Sequence, residues 1–511
     1  MKKVRTIVGV ALLAVAAVLA YFHFYGKARI DEEIKKALAS LPEGWSVEYK
    51  SIDYAVSSDL LIIEGLKVKA PSEPPVDVTI EKIEAEGVSL STVQDLINGV
   101  DNATEFKPLA KSLTLGKLAF DGPVKYTFSS DRYVATNIAI KPWPKMSGSL
   151  TTEQILRLLH SYSIEKEEME GIKSKLTLFK DIPPSIIEIA KAVSTLHADG
   201  KIDRFDVTGM TMDGATVSGI PGQTVQKLKM TIGSSEMNKV DYSGFMRALV
   251  EGKTSSAMSG GFIYENLIYR DVSYVLVDMM EAAVKEIAVK DTKYDQGIPT
   301  GGTMTFNGMT LIPQQAEMKK AFADLEYAEP PAFDGEMFYV YDPADKRLEM
   351  NDFRMSADNV GTLTMTAKFS GIDIMKMNEE LMENPDDSQR LGQEMIEKMN
   401  VIGLNLRYED KSLVERIYKA AAKQDGRDVE EVKQEAVMGV MFLGGMMAQG
   451  SEDLVKLFET VAAFLQEPRS IALTMTPATP LPLGERAVQE FAGKQPGEII
   501  EMLGLSLTAN Q

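Results

Sequence analysis

Apolar and polar residues recur in one eight-residue pattern at six places along the chain. An apolar pair at positions one and three is followed by two spacer residues and a second apolar pair at positions six and eight. The copies span residues 61–68, 78–85, 113–120, 205–212, 304–311 and 348–355. Each half shows the period-two alternation of a strand with one buried face. The pattern therefore predicts six strands.

The two spacer residues shift the parity of this alternation. In a regular strand they would place the second apolar pair on the opposite face of the sheet. An extra residue at a β-bulge would return the pair to the first face and would bend the strand. Asn307-Gly308 has a second interpretation, as a tight hairpin turn. We expect long, bent, mainly antiparallel strands that turn one apolar face inward.

This inner face is predicted to form an apolar groove. The candidate groove residues are Leu61, Ile63, Leu66, Val68, Val78, Ile80, Ile83, Leu113, Leu115, Leu118, Phe120, Phe205, Val207, Met304, Phe306, Leu348, Met350 and Phe353. Residues 361–369 make the clearest strand, with apolar side chains on one face and Thr and Lys on the other.

Segments with helical spacing interrupt the strands, which favours an α+β fold over a doubly wound one. The candidate helices span about 152–168, 184–197, 241–251, 271–289, 314–326, 374–399, 411–423, 427–448 and 451–466. They are expected to cover the apolar face of the sheet. Residues 436–448 are uncharged and contain four methionines. Buried core is favoured for this run over a contact with lipid or protein.

The N-terminal 25 residues predict a membrane segment. Residues 6–25 form an uncharged, mostly apolar run that follows Lys2, Lys3 and Arg5. As a helix the run would reach about 30 Å, enough to cross a bilayer core. The candidate anchor residues are Ile7, Val10, Leu12, Leu13, Val18, Leu19, Tyr21, Phe22, Phe24 and Tyr25. A cleaved signal peptide is the alternative, and either would send the bulk of the chain across a membrane.

Composition excludes several classes of site. The net charge of −19 makes nucleic acid a poor partner. The chain has no cysteine and three histidines, His23, His160 and His197, so disulfides and His- or Cys-rich metal sites are excluded. No cofactor motif is found in the sequence. Gly252-Lys253-Thr254 resembles the end of a phosphate-binding loop, but the first glycine of that loop is missing. We therefore expect a protein that is not an enzyme.

Four segments are expected along the chain. They are a cytoplasmic tip and transmembrane anchor at 1–26, a β-rich segment at 27–145, an α+β middle segment at 146–330 and a C-terminal α+β segment at 331–511. A helical hairpin lies in the last of these.

Several segments resemble known families of bacterial envelope proteins. The N-terminal run followed by Gly44-Trp45-Ser46-Val47 and the strand at 61–68 resembles the start of AsmA-like proteins. Residues 404–414, 477–483 and 497–505 resemble the YdgA-like family. The resemblance implies a single-pass protein of the inner (cytoplasmic) membrane, with a curved β-groove and most of the chain in the periplasm. AsmA-like proteins are associated with moving or organising lipids, but no functional residue can be carried over.

Three functions follow as hypotheses. The first is a non-enzymatic membrane-anchored envelope protein whose apolar groove binds or organises lipid. The second is an assembly or interaction protein with a filled core that contacts another envelope protein. The third is a hydrolase that uses carboxylates alone, and no sequence motif supports it.

Overall fold

The structure is a computed structural model. It describes residues 46–55, 57–70, 76–100, 103–122, 126–142, 156–157, 160–176, 184–216, 226–244, 247, 262–276, 280–295, 297–374, 376–377, 380, 388–448 and 451–511. The chain divides into two compact units, with the boundary between Tyr269 and Arg270.

The first unit is built on a sheet of antiparallel neighbours. Its strands are β1 (Ser46–Glu48), β2 (Ser51–Ala55), β3 (Leu60–Ala70), β4 (Val76–Glu86), β5 (Lys107–Gly122), β6 (Tyr126–Ile140), β7 (Tyr162–Leu176), β8 (Ser185–Ala198), β9 (Lys201–Thr216) and β10 (Gln226–Asp241). Both β1 and β2 pair with β3, and each strand from β4 to β10 pairs with the one before it. Helix α1 (Leu90–Asn98) begins at Ser89, whose side chain caps it.

Strand β11 (Asn266–Leu276) includes the residues on both sides of the boundary between the units, and the second unit by itself is also built on antiparallel neighbours. Its strands are β12 (Met280–Asp295), β13 (Ile298–Pro313), β14 (Ala332–Asp342), β15 (Arg347–Ala357), β16 (Gly361–Ser370), β17 (Asn400–Asp410), β18 (Ser470–Met475), β19 (Leu481–Pro482) and β20 (Leu505–Ala509). Neighbours pair in sequence from β12 to β18, and β20 then pairs with β18.

Seven helices accompany the strands of the second unit within the described ranges. They are α2 (Ala316–Asp324), α3 (Ser388–Lys398), α4 (Leu413–Asp425), α5 (Val429–Met447), α6 (Glu452–Gln466), α7 (Glu485–Phe491) and α8 (Pro496–Leu503). The predictions at 314–326, 411–423, 427–448 and 451–466 are confirmed by α2, α4, α5 and α6. The prediction at 374–399 is confirmed for its last part, α3.

A row of aligned kinks crosses the sheet of the first unit. Its members lie level with one another on β3 to β10, and they are Gly65, Glu81, Lys117, Asp131, Gly171, Ala190, Gly209 and Gly233. On every second strand the member has a left-handed φ between 47° and 64°; these members are Gly65, Lys117, Gly171 and Gly209. The pairing register of neighbouring strands is the same before and after the row. All these strands therefore shift their alternation of inward and outward side chains at the same level.

A second row of the same kind lies six residues from the first, after it on the even-numbered strands and before it on the odd-numbered ones. Its left-handed members are Gly87, Asn137, Leu196 and Lys239, with φ between 49° and 63°. They stand at the end of β4 and on β6, β8 and β10, the strands that have regular φ in the first row. Because inward residues are three apart across each kink instead of two, every long strand keeps its apolar side chains on one face throughout, as Val78, Ile80, Ile83 and Ala85 do on β4.

The predicted strands are confirmed, and the two apolar pairs of each motif share one face of the sheet. The two units differ in how the second pair is returned to that face. In the second unit the register shifts at Phe306/Met309 and at Met350/Phe353, as a β-bulge requires. In the first unit the neighbouring strand has a kink at the same level, so the pairing register of the two strands does not shift at the motif. Asn307 and Gly308 lie inside β13 and form no hairpin turn.

Two predicted helices are wrong, and a third is wrong in its second half. Residues 185–197 belong to β8, and residues 271–276 and 280–289 fall on β11 and β12. In the helix predicted at 152–168, residues 156–157 are helical, but residues 162–168 belong to β7. The cause is the kink rows: inward side chains stand two residues apart within a segment but three apart across a kink, as from Ile189 to Ala192. This mixture imitates the spacing of a helix. The prediction at 241–251 lies mostly outside the described residues.

The predicted fold class is corrected accordingly. The chain is predominantly antiparallel β-sheet, and much of what was expected to be covering helix is strand. No helix in the described ranges is long and apolar enough to cross a membrane. The predicted anchor, with all its candidate residues from Ile7 to Tyr25, lies outside those ranges. The predictions of a transmembrane helix, of single-pass topology and of an inner-membrane location are therefore not upheld.

Candidate functional site

The apolar face of β3 to β5 is a packed core. Seven of the candidate groove residues there are at most 6% exposed: Leu61, Ile63, Leu66, Val68, Val78, Ile80 and Ile83. The four candidates on β5 pack against them from the side and are partly buried: Leu113, Leu115, Leu118 and Phe120. This end of the predicted groove is thus filled by the protein's own side chains.

Further along the first unit, the inner face carries a smaller apolar cluster. Ile172, Ala192 and Val207 are buried in it, and Phe205 packs against them with partial exposure. Gly171 and Gly209 stand at the kink beside this cluster. A Cβ atom on Gly209 would lie 2.9 Å from the Cβ of Ala190, so the kink requires glycine for both its φ and its space.

A buried polar cluster follows on β6, β7 and β8, and its members on β7 and β8 lie where helices were predicted. The Glu167 carboxylate accepts hydrogen bonds from Ser194 Oγ at 2.7 Å and from Tyr133 Oη at 2.9 Å. His197 Nδ1 lies 3.2 Å from the same carboxylate, and Nε2 contacts the Tyr242 hydroxyl. A carboxylate only accepts, so Nδ1 carries the hydrogen.

Burial and hydrogen bonding compete at Glu167. Burial by itself would raise the pKa of this carboxyl, but the bonds from His197, Ser194 and Tyr133 outweigh it and lower the pKa. Burial, and then the charge of Glu167, raise the pKa of Tyr133 well above its ordinary value. Every polar atom named here has a partner within the cluster. Its arrangement is that of a closed structural network on an otherwise apolar face.

The second unit carries a half-buried apolar belt on the inner face of its sheet. The belt crosses seven strands, from β13 to β18 and β20, with one residue on each: Met304, Met337, Phe353, Met365, Leu406, Leu473 and Leu507. At about 4.8 Å between strands it is about 29 Å long. Met304, at one end, is 37% exposed.

Helices close the sheet face on both sides of the belt. On one side Tyr408, Ile471 and Ala509 pack against a cluster formed with α4, α5 and α6. On the other side Leu348 and Phe369 join Tyr341 in a cluster that includes Met395 of α3. The belt lies between these two closed ends, and its side chains are only half-buried. An elongated apolar strip with closed sides is the shape that fits an extended apolar ligand.

The kinks of the second unit are held by specific contacts. The backbone N–H of Gly308, which has a φ of +62°, donates a 2.7 Å hydrogen bond to Asp334 Oδ1. Gly302 on β13 lies level with Asp291 on β12. Gly302 stands six residues before Gly308, and Asp291 stands six residues after Lys285, the residue of β12 that is level with Gly308. The same six-residue spacing therefore recurs in both units.

The predicted groove residues thus divide into three groups. Those on β3 to β5 lie in a core, and Phe205 and Val207 lie in the smaller apolar cluster of the first unit. The candidates of the second unit lie on the belt or beside it: Met304, Phe306, Leu348, Met350 and Phe353. The belt residues Met337, Met365, Leu406, Leu473 and Leu507 were not singled out from the sequence. None of them lies in the eight-residue motif. The regular alternation of apolar residues along 361–369, 400–408 and 470–475 was the available signal for Met365, Leu406 and Leu473.

Comparison with known proteins adds a partial match. Residues 354–510 match a family model that is described as an uncharacterized protein. The match runs from the end of β15 to β20 and so includes four of the belt positions. No curated protein matches the chain.

Proposed function

We propose that this protein binds the acyl chains of lipids along the apolar belt of its second unit, without catalysing a reaction on them. The observation that carries the proposal is the belt itself: seven apolar side chains in line on neighbouring strands, half-buried, between two ends that helices close. An acyl chain needs such a strip and no polar partner along its length.

The composition of the belt favours a flexible hydrocarbon as ligand. Three of its seven residues are methionines, whose unbranched side chains adapt to ligands of variable shape. Each buried methylene contributes about 0.8 kcal/mol, so a chain of about 15 methylenes that is half covered gains on the order of 6 kcal/mol before the costs of association. The resemblance of the N-terminal segments to AsmA-like proteins, which are associated with moving or organising lipids, supports the same assignment.

Lipid extraction tests the proposal. The full chain would be purified without added lipid, extracted with organic solvent and analysed by mass spectrometry. We expect about one or more lipids per chain in the wild type, and much less in the double variant Met365→Glu, Leu406→Glu. An extract free of lipid, from a protein that also fails to take up fatty acid, would contradict the proposal. A bound apolar peptide in place of lipid would assign the belt to a protein partner.

A further inference from the structure

The second half of α5 exposes a large apolar patch. Between Glu435 and Glu452 the chain has no charged residue. Six large side chains there are 44–68% exposed, and together they are called the α5 patch: Met438, Met441, Phe442, Leu443, Met446 and Met447. The expectation that this run is buried core is therefore wrong.

The patch occupies most of the helix circumference. At 100° per residue its members span an arc of about 240°. The remaining arc packs on α6, where Gly444 is buried and a Cβ atom on it would lie 2.6 Å from the Cβ of Phe458. One side of α5 is thus fixed within the unit, and the other is left open.

Two exposed glycines lie within the patch region. Apart from the backbone of α5 itself and the adjacent residues, no atom of the described residues lies within 4 Å of a Cβ atom built on Gly439 or on Gly445. A glycine inside a helix costs about 1 kcal/mol relative to alanine, and no contact among the described parts of the chain requires it at these positions. Glycine on a helix surface allows another helix to approach closely, since the distance between packed helices depends on the side chains at the contact.

We infer that the α5 patch is covered by the α5 patch of a second copy of this chain. At roughly 200 Å² for a fully exposed large side chain, the patch exposes about 700 Å², more than the largest apolar patch of a typical monomer. Two such patches buried against each other remove about 1,400 Å², within the range of a stable interface. A two-fold interface of this kind uses the same surface on both copies.

Charge favours a second copy over a lipid surface. Helices that lie in a membrane interface carry Lys and Arg on their polar side. Helix α5 carries Glu430, Glu431 and Glu435 with the single cation Lys433, and the chain as a whole has a net charge of −19. Anionic headgroups would repel such a surface. The inference does not depend on lipid binding by the belt.

Sedimentation analysis of the full chain tests the interface. We expect the wild type to sediment at twice the 56.2 kDa of one chain, and Phe442→Glu to sediment as a single chain. The matched control Met318→Glu, at a methionine of α2 that is 41% exposed, should remain a dimer. A buried charge at the centre of the patch should raise the dissociation constant at least about tenfold. Circular dichroism would show that both variants are folded.

Cysteine cross-linking gives an independent measurement, because the chain has no cysteine of its own. Under oxidation Gly445→Cys should form a covalent dimer, and Met318→Cys should not. A wild type that stays a single chain at high concentration, or a Phe442→Glu variant that stays a dimer, would overturn the inference. So would a single-chain wild type that binds phosphatidylcholine vesicles through this patch, which would assign the patch to lipid.

Discussion

The ring of Phe306 lies directly over Gly335 on the neighbouring strand, so closely that a Cβ atom on Gly335 would stand 2.2 Å from ring carbons. The two residues face each other across β13 and β14, next to the bulge at Gly308. An aromatic ring over a strand glycine is a known way of fixing the register of a sheet. This contact borders the apolar belt, since Met304 and Met337 form the next pair on the same face of these strands.

Gly335→Ala is expected to destabilise the second unit. The added methyl group must displace the Phe306 ring or the strand, at a cost of about 1–3 kcal/mol in the free energy of unfolding. Gly403→Ala is the matched control, because its Cβ would lie 3.6 Å from the nearest atom, an ordinary contact. Urea unfolding of both variants measures the difference. Equal stabilities would show that the ring does not occupy this position.

The kink rows predict opposite effects for two substitutions on β8. Leu196 is 60% exposed and has a φ of +51°, which costs a residue with a side chain about 1–2 kcal/mol. Leu196→Gly should therefore raise the free energy of unfolding by about 0.5–1 kcal/mol, despite the greater flexibility of glycine in the unfolded chain. Thr195→Gly, at the preceding position of regular φ, should lower it by about the same amount. A loss at both positions would argue against the left-handed kink.

Glu167→Gln tests the buried polar cluster through its pH dependence. The folded-state pKa of Glu167 is lowered from the ordinary 4.5, so its carboxylate stabilises the fold above pH 4.5. That contribution is lost as the pH falls through the lowered pKa. At pH 7 the variant should be about 2–4 kcal/mol less stable than the wild type, and the gap should close on acidification. Glu168→Gln, on the same strand but paired with exposed lysines, should cost less than about 1 kcal/mol. Calorimetry at several pH values measures both, and a gap that is independent of pH would exclude an ionised Glu167.

Much of the fold could be predicted because the eight-residue motif records a physical requirement. Wherever an apolar face must continue through a kink, the sequence needs a two-residue spacer, and this is visible at 61–68 as at 348–355. The same requirement misleads where the motif is incomplete. On β8 the inward steps from Ile189 to Ala192 and from Ser194 to His197 are three residues each, and this spacing resembles that of a helix.

The remaining features depend on tertiary contacts that periodicity does not encode. The sequence places Glu167 and His197 thirty residues apart, and only the pairing of β7 with β8 brings their side chains together. Residues 61–68 and 304–311 have the same pattern, yet one copy is packed core and the other borders the open belt. The difference arises from which elements lie over each copy, not from the copy itself. For the same reason an apolar run such as 436–448 does not reveal whether it is buried.

The most direct measurement of the central claim compares two neighbouring residues of β16 that point to opposite faces. Met365 lies in the belt, and Thr364 lies on the other face level with Arg354 and Arg407. Binding of a pyrene-labelled fatty acid to the full chain would be titrated by fluorescence for Met365→Glu, Thr364→Glu and the wild type, with thermal unfolding as a check on folding. The account predicts that Met365→Glu weakens binding at least about tenfold, because a buried charge opposes an acyl chain, and that Thr364→Glu binds as the wild type does. Equal binding by the two folded variants would contradict it.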